Sequence, residues 1–352
     1  MTSLRESARE QAEAKRLLDA ALADGPAHAY LFHGPPGVGK RLLARAFARE
    51  LLGTTRHTHP DLYELDALGE MLRIDAIREL RRDLHMRPFE ADRRVYLILS
   101  AQLLNDDAAD ALLKDLEEPP EYAVIILITD DLGPISETIR SRCQLVPFRR
   151  LSERAIRELV DARAPELDED RRIALARVAG GRLDRVDRLL DPRAASRRST
   201  LLAQARASYS EPAFEPAVAA SALVDCAREC GSEAKAVEEA KVQALELTAR
   251  DSEQRVRRAQ RGAEREELLA QLEELEAWYR DLVVVAVGAA RAAVHVDRLD
   301  ELREDATRER LIGAEHAAEA VRETWRRLEE FNLSPQLALE ALFVEIAYEL
   351  RI

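Results

Sequence analysis

The segment Gly34-Pro35-Pro36-Gly37-Val38-Gly39-Lys40 constrains the fold more than any other feature of this chain. It follows directly on a short apolar run, Ala29-Tyr30-Leu31-Phe32, and opens a helical pattern, Leu42-Leu43-Ala44-Arg45-Ala46-Phe47. A Gly-x4-Gly-Lys spacing between strand and helix predicts a phosphate-binding loop. Its glycines let backbone N–H groups turn toward phosphates, the helix N-terminus adds positive potential, and the lysine reaches the β and γ phosphates. Gly34, Gly37, Gly39 and Lys40 are therefore the candidate nucleotide-contacting residues.

Two further runs, Val95 to Leu99 and Ala123 to Thr129, flank the helical pattern Asp107 to Leu116, and Gln144 to Phe148 offers one more strand. Strands alternating with helices predict an α/β domain with a parallel sheet over residues 1–150, entered through a helix at about residues 4–24. Beyond Leu151 the pattern is helical throughout. A group of short helices spans 151–205, and Pro212 and Pro216 mark the way into an all-helical domain, 206–352. Within the latter, residues 232–276 are charge-dense with sparse apolar positions (Val237, Leu245, Leu247, Val256, Leu268, Leu269, Leu272), which reads as a long solvated helix or a helical hairpin. Ala277 to Ala293 and Leu333 to Leu350 read as core helices.

The loop lacks the usual chemistry of its class. The position after the lysine should carry a Ser or Thr hydroxyl for Mg2+, and here it is Arg41, which cannot ligate a metal. Val95 to Leu99 should end in an acid that holds the ion and a Glu that activates water, but Ser100 and Ala101 follow. Asp106 and Asp107 come later, at a helix start, where capping is the expected role. Hydrolysis is therefore not expected, and ATP bound without hydrolysis stays open.

A formal net charge of -13 argues against broad nucleic-acid binding, so any such contact must come from a local basic patch. The 47% hydrophobic and 5% aromatic composition favours helices over a β-sandwich. No stretch reaches the length of a membrane span and no signal segment is expected; three cysteines suit a reducing cytosol, so a cytoplasmic protein is expected. No metal site is expected either. His57 and His59 read as a surface loop, Cys226 and Cys230 as packing, and Cys143 as a small buried residue.

The chain resembles the clamp-loader branch of the AAA+ proteins, and within it most closely the delta-prime subunits of bacterial DNA polymerase III. The resemblance lies in His28 to Lys40, His59-Pro60-Asp61, Ile77 to Leu80 with Arg87-Pro88-Phe89, Ala111 to Pro120, Ile139-Arg140-Ser141-Arg142-Cys143 and Asn332 to Leu342. It implies a P-loop AAA+ domain, a helical lid and a collar that assembles a ring. It also implies gamma/tau and delta subunits as partners, and the sliding clamp and primer-template DNA through the complex. Arg142 takes the position of an arginine finger that reaches a neighbour's ATP site; the competing reading is an intramolecular salt bridge. Arg185 or Asp184 falls where such proteins place a nucleotide-sensing Arg. The four-cysteine zinc module of many members is absent, Gly53 to Thr58 filling the gap, so no zinc is expected. A non-hydrolysing stator subunit is the reading adopted, with an ATP-hydrolysing motor and a purely structural scaffold as its rivals.

Overall fold

The computed structural model describes residues 10–56, 58–66, 74–243, 249–331 and 333–351. The chain divides into two compact units, Met1–Glu158 with Gly181–Asp184, and Leu159–Gly180 with Arg185–Ile352.

The first unit is built on five parallel strands, β1 (Ala29–His33), β2 (Leu62–Leu65), β3 (Arg94–Ile98), β4 (Ala123–Thr129) and β5 (Gln144–Pro147), in the order β2-β3-β4-β1-β5. The helices are α1 (Ala12–Asp24), α2 (Lys40–Leu51), α3 (Ile74–Leu84), α4 (Asp106–Glu117) and α5 (Glu137–Arg142). Strands β3 and β4 are buried along their whole length and β1 nearly so, which is why they read as unbroken apolar runs: helices cover both faces. Alternate residues face opposite cores. Tyr30, Phe32, Val95 and Leu97 join Leu18 of α1 and Leu43 and Phe47 of α2. Leu31, Tyr96, Ile98 and Leu127 join Ile77 and Leu80 of α3 and Leu112 of α4. Truncating Phe47, wholly buried, to Ala would cost about 3–5 kcal/mol.

The α/β expectation holds, with differences that have local causes. Strand β2 has no apolar run to announce it: it is a four-residue edge strand whose Glu64 is exposed. The cap of α4 is Asn105, whose side chain accepts from the Ala108 N–H, so Asp106 and Asp107 lie in the first turn instead. Pro147 is tolerated because β5 is the other edge. The entry helix is described from Ala12; residues 4–9 of that expectation lie outside the described residues.

The second unit is helical. Its elements are α6 (Glu153–Arg163, which begins in the first unit), α7 (Glu169–Val178), α8 (Leu183–Leu190), α9 (Pro192–Ser210), α10 (Pro216–Val242), α11 (Ala249–Ala286), α12 (Leu299–Asp305), α13 (Leu311–Glu330) and α14 (Pro335–Leu350). Its core gathers Leu202 and Tyr209 of α9, Leu223 of α10, Trp278 and Tyr279 of α11, Val321 of α13 and Phe343 of α14. Of the two readings of 232–276, the hairpin is the one observed: α10 and α11 pack along each other, and Gly231 admits the close approach, since a Cβ there would strike the Glu264 side chain. Leu245 and Leu247 lie outside the described residues. Pro212 falls in the turn after α9, while Pro216 is the first residue of α10, where its missing N–H is harmless. The core helix expected over Ala277 to Ala293 is the end of α11, which stops at Ala286.

Candidate nucleotide site and arginine finger

The loop joining β1 to α2 lies at the carboxyl edge of the sheet, where the chain order reverses on either side of β1, the usual ligand position of open α/β sheets. Gly34, Gly37 and Gly39 all have positive φ, of 139°, 70° and 93°, so the predicted loop forms. Gly37 is restricted sterically as well. A Cβ there would run into the carboxylate of Asp184, which Arg182 holds through Nε (3.1 Å) and Nη2 (2.6 Å). The Leu183 N–H donates to the Gly37 carbonyl at 2.7 Å, fastening residues 181–184 onto the loop.

Lys40 is buried, and its ammonium is fully engaged. It donates to the carbonyls of Gly34 (2.7 Å) and Pro35 (2.5 Å) and pairs with Asp130 Oδ1 at 2.6 Å. An ammonium has three donors, and these three contacts match them. Burial pushes the Lys40 pKa down from its ordinary value, against the opposing pull of Asp130. Asp130 follows β4 directly, and β4 lies beside β1; the sequence carried a signal for it only as a polar residue at the carboxyl end of a buried strand.

The metal-binding positions are linked to each other. Arg41 donates to both carboxylate oxygens of Asp66 (3.1 and 3.3 Å) and to Ser100 Oγ (2.9 Å), while Ser100 Oγ donates to Asp66 Oδ1 (3.1 Å). A guanidinium thus stands at the start of α2 where a Mg2+ site needs a hydroxyl, a neutral hydroxyl stands after β3 where it needs an acid, and the nearby carboxylate is already neutralised. These residues do not fit a P-loop Mg2+. Among the described residues, no group of three or more His, Cys, Asp and Glu is arranged to hold a metal ion.

Arg142 is the last residue of α5, which Ser136 caps at its start. Its guanidinium pairs with Glu117, at the end of α4, and donates to the Thr138 carbonyl at 3.0 Å. The Leu-Glu-Glu-Pro-Pro and Ser-Arg-Cys segments therefore meet, and the salt-bridge geometry is the one present in the single chain. Both side chains stay partly open, 32% and 48% exposed. Burial raises the neighbouring Cys143 thiol to about 12, which leaves no thiolate near neutral pH.

The remaining candidates separate. Arg185 lies in the second unit and pairs with Glu273 (3.1 Å) of α11, whereas Asp184 is the residue against the loop. His57 lies outside the described residues. The His59 side chain, expected on a surface loop, is only 6% exposed, and its Nδ1 accepts from the Asp61 N–H. Asp61, quoted from the sequence only as part of the His59-Pro60-Asp61 segment and given no role there, is buried and accepts from the N–H groups of Phe89 (2.6 Å), Glu90 (2.8 Å) and Ala91 (2.9 Å). Burial would raise its pKa, but these donors and Arg94 outweigh that and lower it. Cys230 Sγ lies 3.5 Å from Glu267, and Cys226 and Cys230 are free thiols whose pKa values are raised, chiefly by burial.

The parallel order β2-β3-β4-β1-β5, with a Gly-x4-Gly-Lys loop at the carboxyl end of β1, defines the AAA+ type of P-loop domain, followed by an all-helical region. Residues 10–152 match the family described as DNA polymerase III, delta subunit. The tau subunit of DNA polymerase III from Bacillus subtilis (strain 168) is 34% identical over 198 residues, which is 50% of this chain and 35% of that protein. The delta' subunit from the same organism is 32% identical over 160 residues, 41% of this chain and 49% of the relative. The chain thus spans about a third to a half of the length of these relatives. A DNA polymerase III gamma subunit-related protein from Thermotoga maritima is 18% identical at a TM-score of 0.47, over 96% of this chain and 100% of that one. The resemblance drawn from the sequence is borne out over residues 10–152, where the matching family and the tau and delta' relatives are all DNA polymerase III subunits. Among the described residues, no helix is long and apolar enough to cross a membrane.

Proposed function

We propose that this chain is a non-hydrolysing, stator-type clamp-loader subunit that supplies Arg142 to the ATP site of a neighbouring subunit. The observation that supports it most is the state of Lys40, whose donors are taken by the loop's own carbonyls and by Asp130. A triphosphate would have to displace that carboxylate and come close to a second one, Asp184, beside Gly37. Even then, a metal that would balance its charge finds no ligand at Arg41 and, at Ser100, only a neutral hydroxyl already engaged by Arg41 and Asp66. A guanidinium at the end of a short surface helix suits delivery to another chain, where it would stabilise charge on a transferring phosphoryl group.

On this reading the partners are gamma/tau and delta subunits in the cytoplasm, with the sliding clamp and primer-template DNA met through the assembled complex. The C-terminal helix supports assembly: Leu337, Val344 and Tyr348 are 66%, 54% and 82% exposed on α14 and line a shallow groove with Ala341. Steady-state turnover of ATP by the purified chain is the test. Background rates are expected, and turnover that Lys40→Ala abolishes would exclude a stator.

A further inference from the structure

The arm formed by α10 and α11 has no part in the function proposed above. On the outer half of α11, Arg250, Arg257, Arg258, Arg261 and Arg265 follow one another at spacings of 7, 1, 3 and 4 residues. At 100° per residue they share one side of the helix over about 22 Å. The buried position of this stretch, Val256, lies at least 100° round the helix from all of them. Arg255 turns to Glu238 of α10, and Arg257 shares Glu253 at an exposed site. Among the described residues, Arg250, Arg258 and Arg261 form no ion pair or hydrogen bond. Elsewhere in this arginine-rich, acidic chain, ion pairs with carboxylates are the rule, as at Arg193, Arg228 and Arg303.

We propose that this face of the arm is a docking surface for the sugar-phosphate backbone of duplex nucleic acid, bound without regard to sequence. The charge fits: a chain of net charge -13 can hold a polyanion only through a local basic patch, and in this one the side chains of Arg250, Arg258 and Arg261 carry permanent charges with no ion-pair partner among the described residues. A protein partner fits less well. Between the arginines the exposed residue is Gln254, and the face has no aromatic or large aliphatic anchor of the kind that centres a protein interface. A guanidinium fork also matches paired phosphate oxygens.

The test is fluorescence anisotropy of the full chain with a labelled mixed-sequence duplex at rising salt. Three or four phosphate contacts predict a log-log slope of about -2.7 to -3.6, so affinity falls ~40- to ~150-fold between about 50 and 200 mM salt. Replacing Arg250, Arg258 and Arg261 by Gln should weaken binding at least tenfold at low salt, with helix content by circular dichroism unchanged, and Lys at the same positions should restore it. A control replacing Arg193, Arg228 and Arg303 by Gln should bind like the parent. No binding by the parent at 50 mM salt, equal loss in the control, or failure of the Lys variant to recover would overturn the proposal. Equal affinity for polyglutamate would overturn the assignment to phosphates. The outcome is independent of ATP turnover, so it stands or falls apart from the stator reading.

Discussion

Arg142→Ala separates two roles of one side chain by magnitude. In the single chain the guanidinium pairs with Glu117 while both groups are about a third to a half open to water, and it lies in the last turn of a six-residue helix. An exposed pair of this kind contributes at most about 1 kcal/mol. Losing it should lower the melting temperature by about 2–4 °C for a unit of this size. A finger withdrawn from a neighbour's γ-phosphate costs on the order of a thousandfold or more in that site, about 4 kcal/mol of barrier. In a complex with several sites the whole-assembly rate falls less. The assay is DNA-stimulated ATPase of the reconstituted complex, with melting measured on the same preparation. Glu117→Gln provides the internal contrast: it removes the same bridge and costs the same stability, yet frees Arg142, so turnover should be undiminished. Should Arg142→Ala instead melt some 10 °C lower with turnover per site intact, or Glu117→Gln lose as much turnover as Arg142→Ala, the residue is a structural tie and the reasoning is refuted.

Asp130→Asn should release Lys40 from its counter-ion and raise affinity for a fluorescent ATP analogue without producing hydrolysis, and unchanged affinity would show that this carboxylate does not hold the loop shut. Val344→Asp with Tyr348→Asp should leave the melting temperature within a degree or two while abolishing co-elution with partner subunits in size exclusion. His295 is buried between Asp281 (2.9 Å) and Glu274 (3.3 Å). Burial would depress its pKa, but these carboxylates outweigh it and raise it. Its stabilisation is therefore complete below the unfolded value of about 6.5 and is lost as pH rises through the raised folded value, so His295→Gln should cost about 3–5 kcal/mol at pH 6 and less at pH 9 by urea denaturation. Asp61→Ala strips the acceptor from three N–H groups and should cost about 3 kcal/mol or more by the same measurement, whereas a loss under 1 kcal/mol would mean that water replaces it.

What was legible in the sequence is what depends on neighbours along the chain. Strands β1, β3 and β4 announce themselves because both faces are covered, and the glycine loop because its turn needs particular residues. The site itself is assembled by strand order. Asp130 meets Lys40 across 90 positions only because β4 runs beside β1, and Asp66 and Ser100 meet Arg41 because β2 and β3 end together. The pairing of Arg142 with Glu117 likewise needs α4 and α5 side by side. His59 was misplaced for the same reason: its loop reads as polar and exposed, but the three N–H groups that fold over Asp61 come from residues 89–91.

Helix α11 runs unbroken from Ala249 to Ala286, with no proline and with Trp278 and Tyr279 clamped in the core at one end. The distance from Arg250 to Trp278 along such a rod is about 42 Å. Mechanically this is a cantilever. A tilt of about 10° at its root sweeps the far end through roughly 7 Å, and a sideways load at the far end returns as torque on the packing around Trp278. His295 stacks edge-on against that indole ring, 5.4 Å between centroids, so the buried imidazole sits within the clamped root of the arm, behind Leu272 and Leu275.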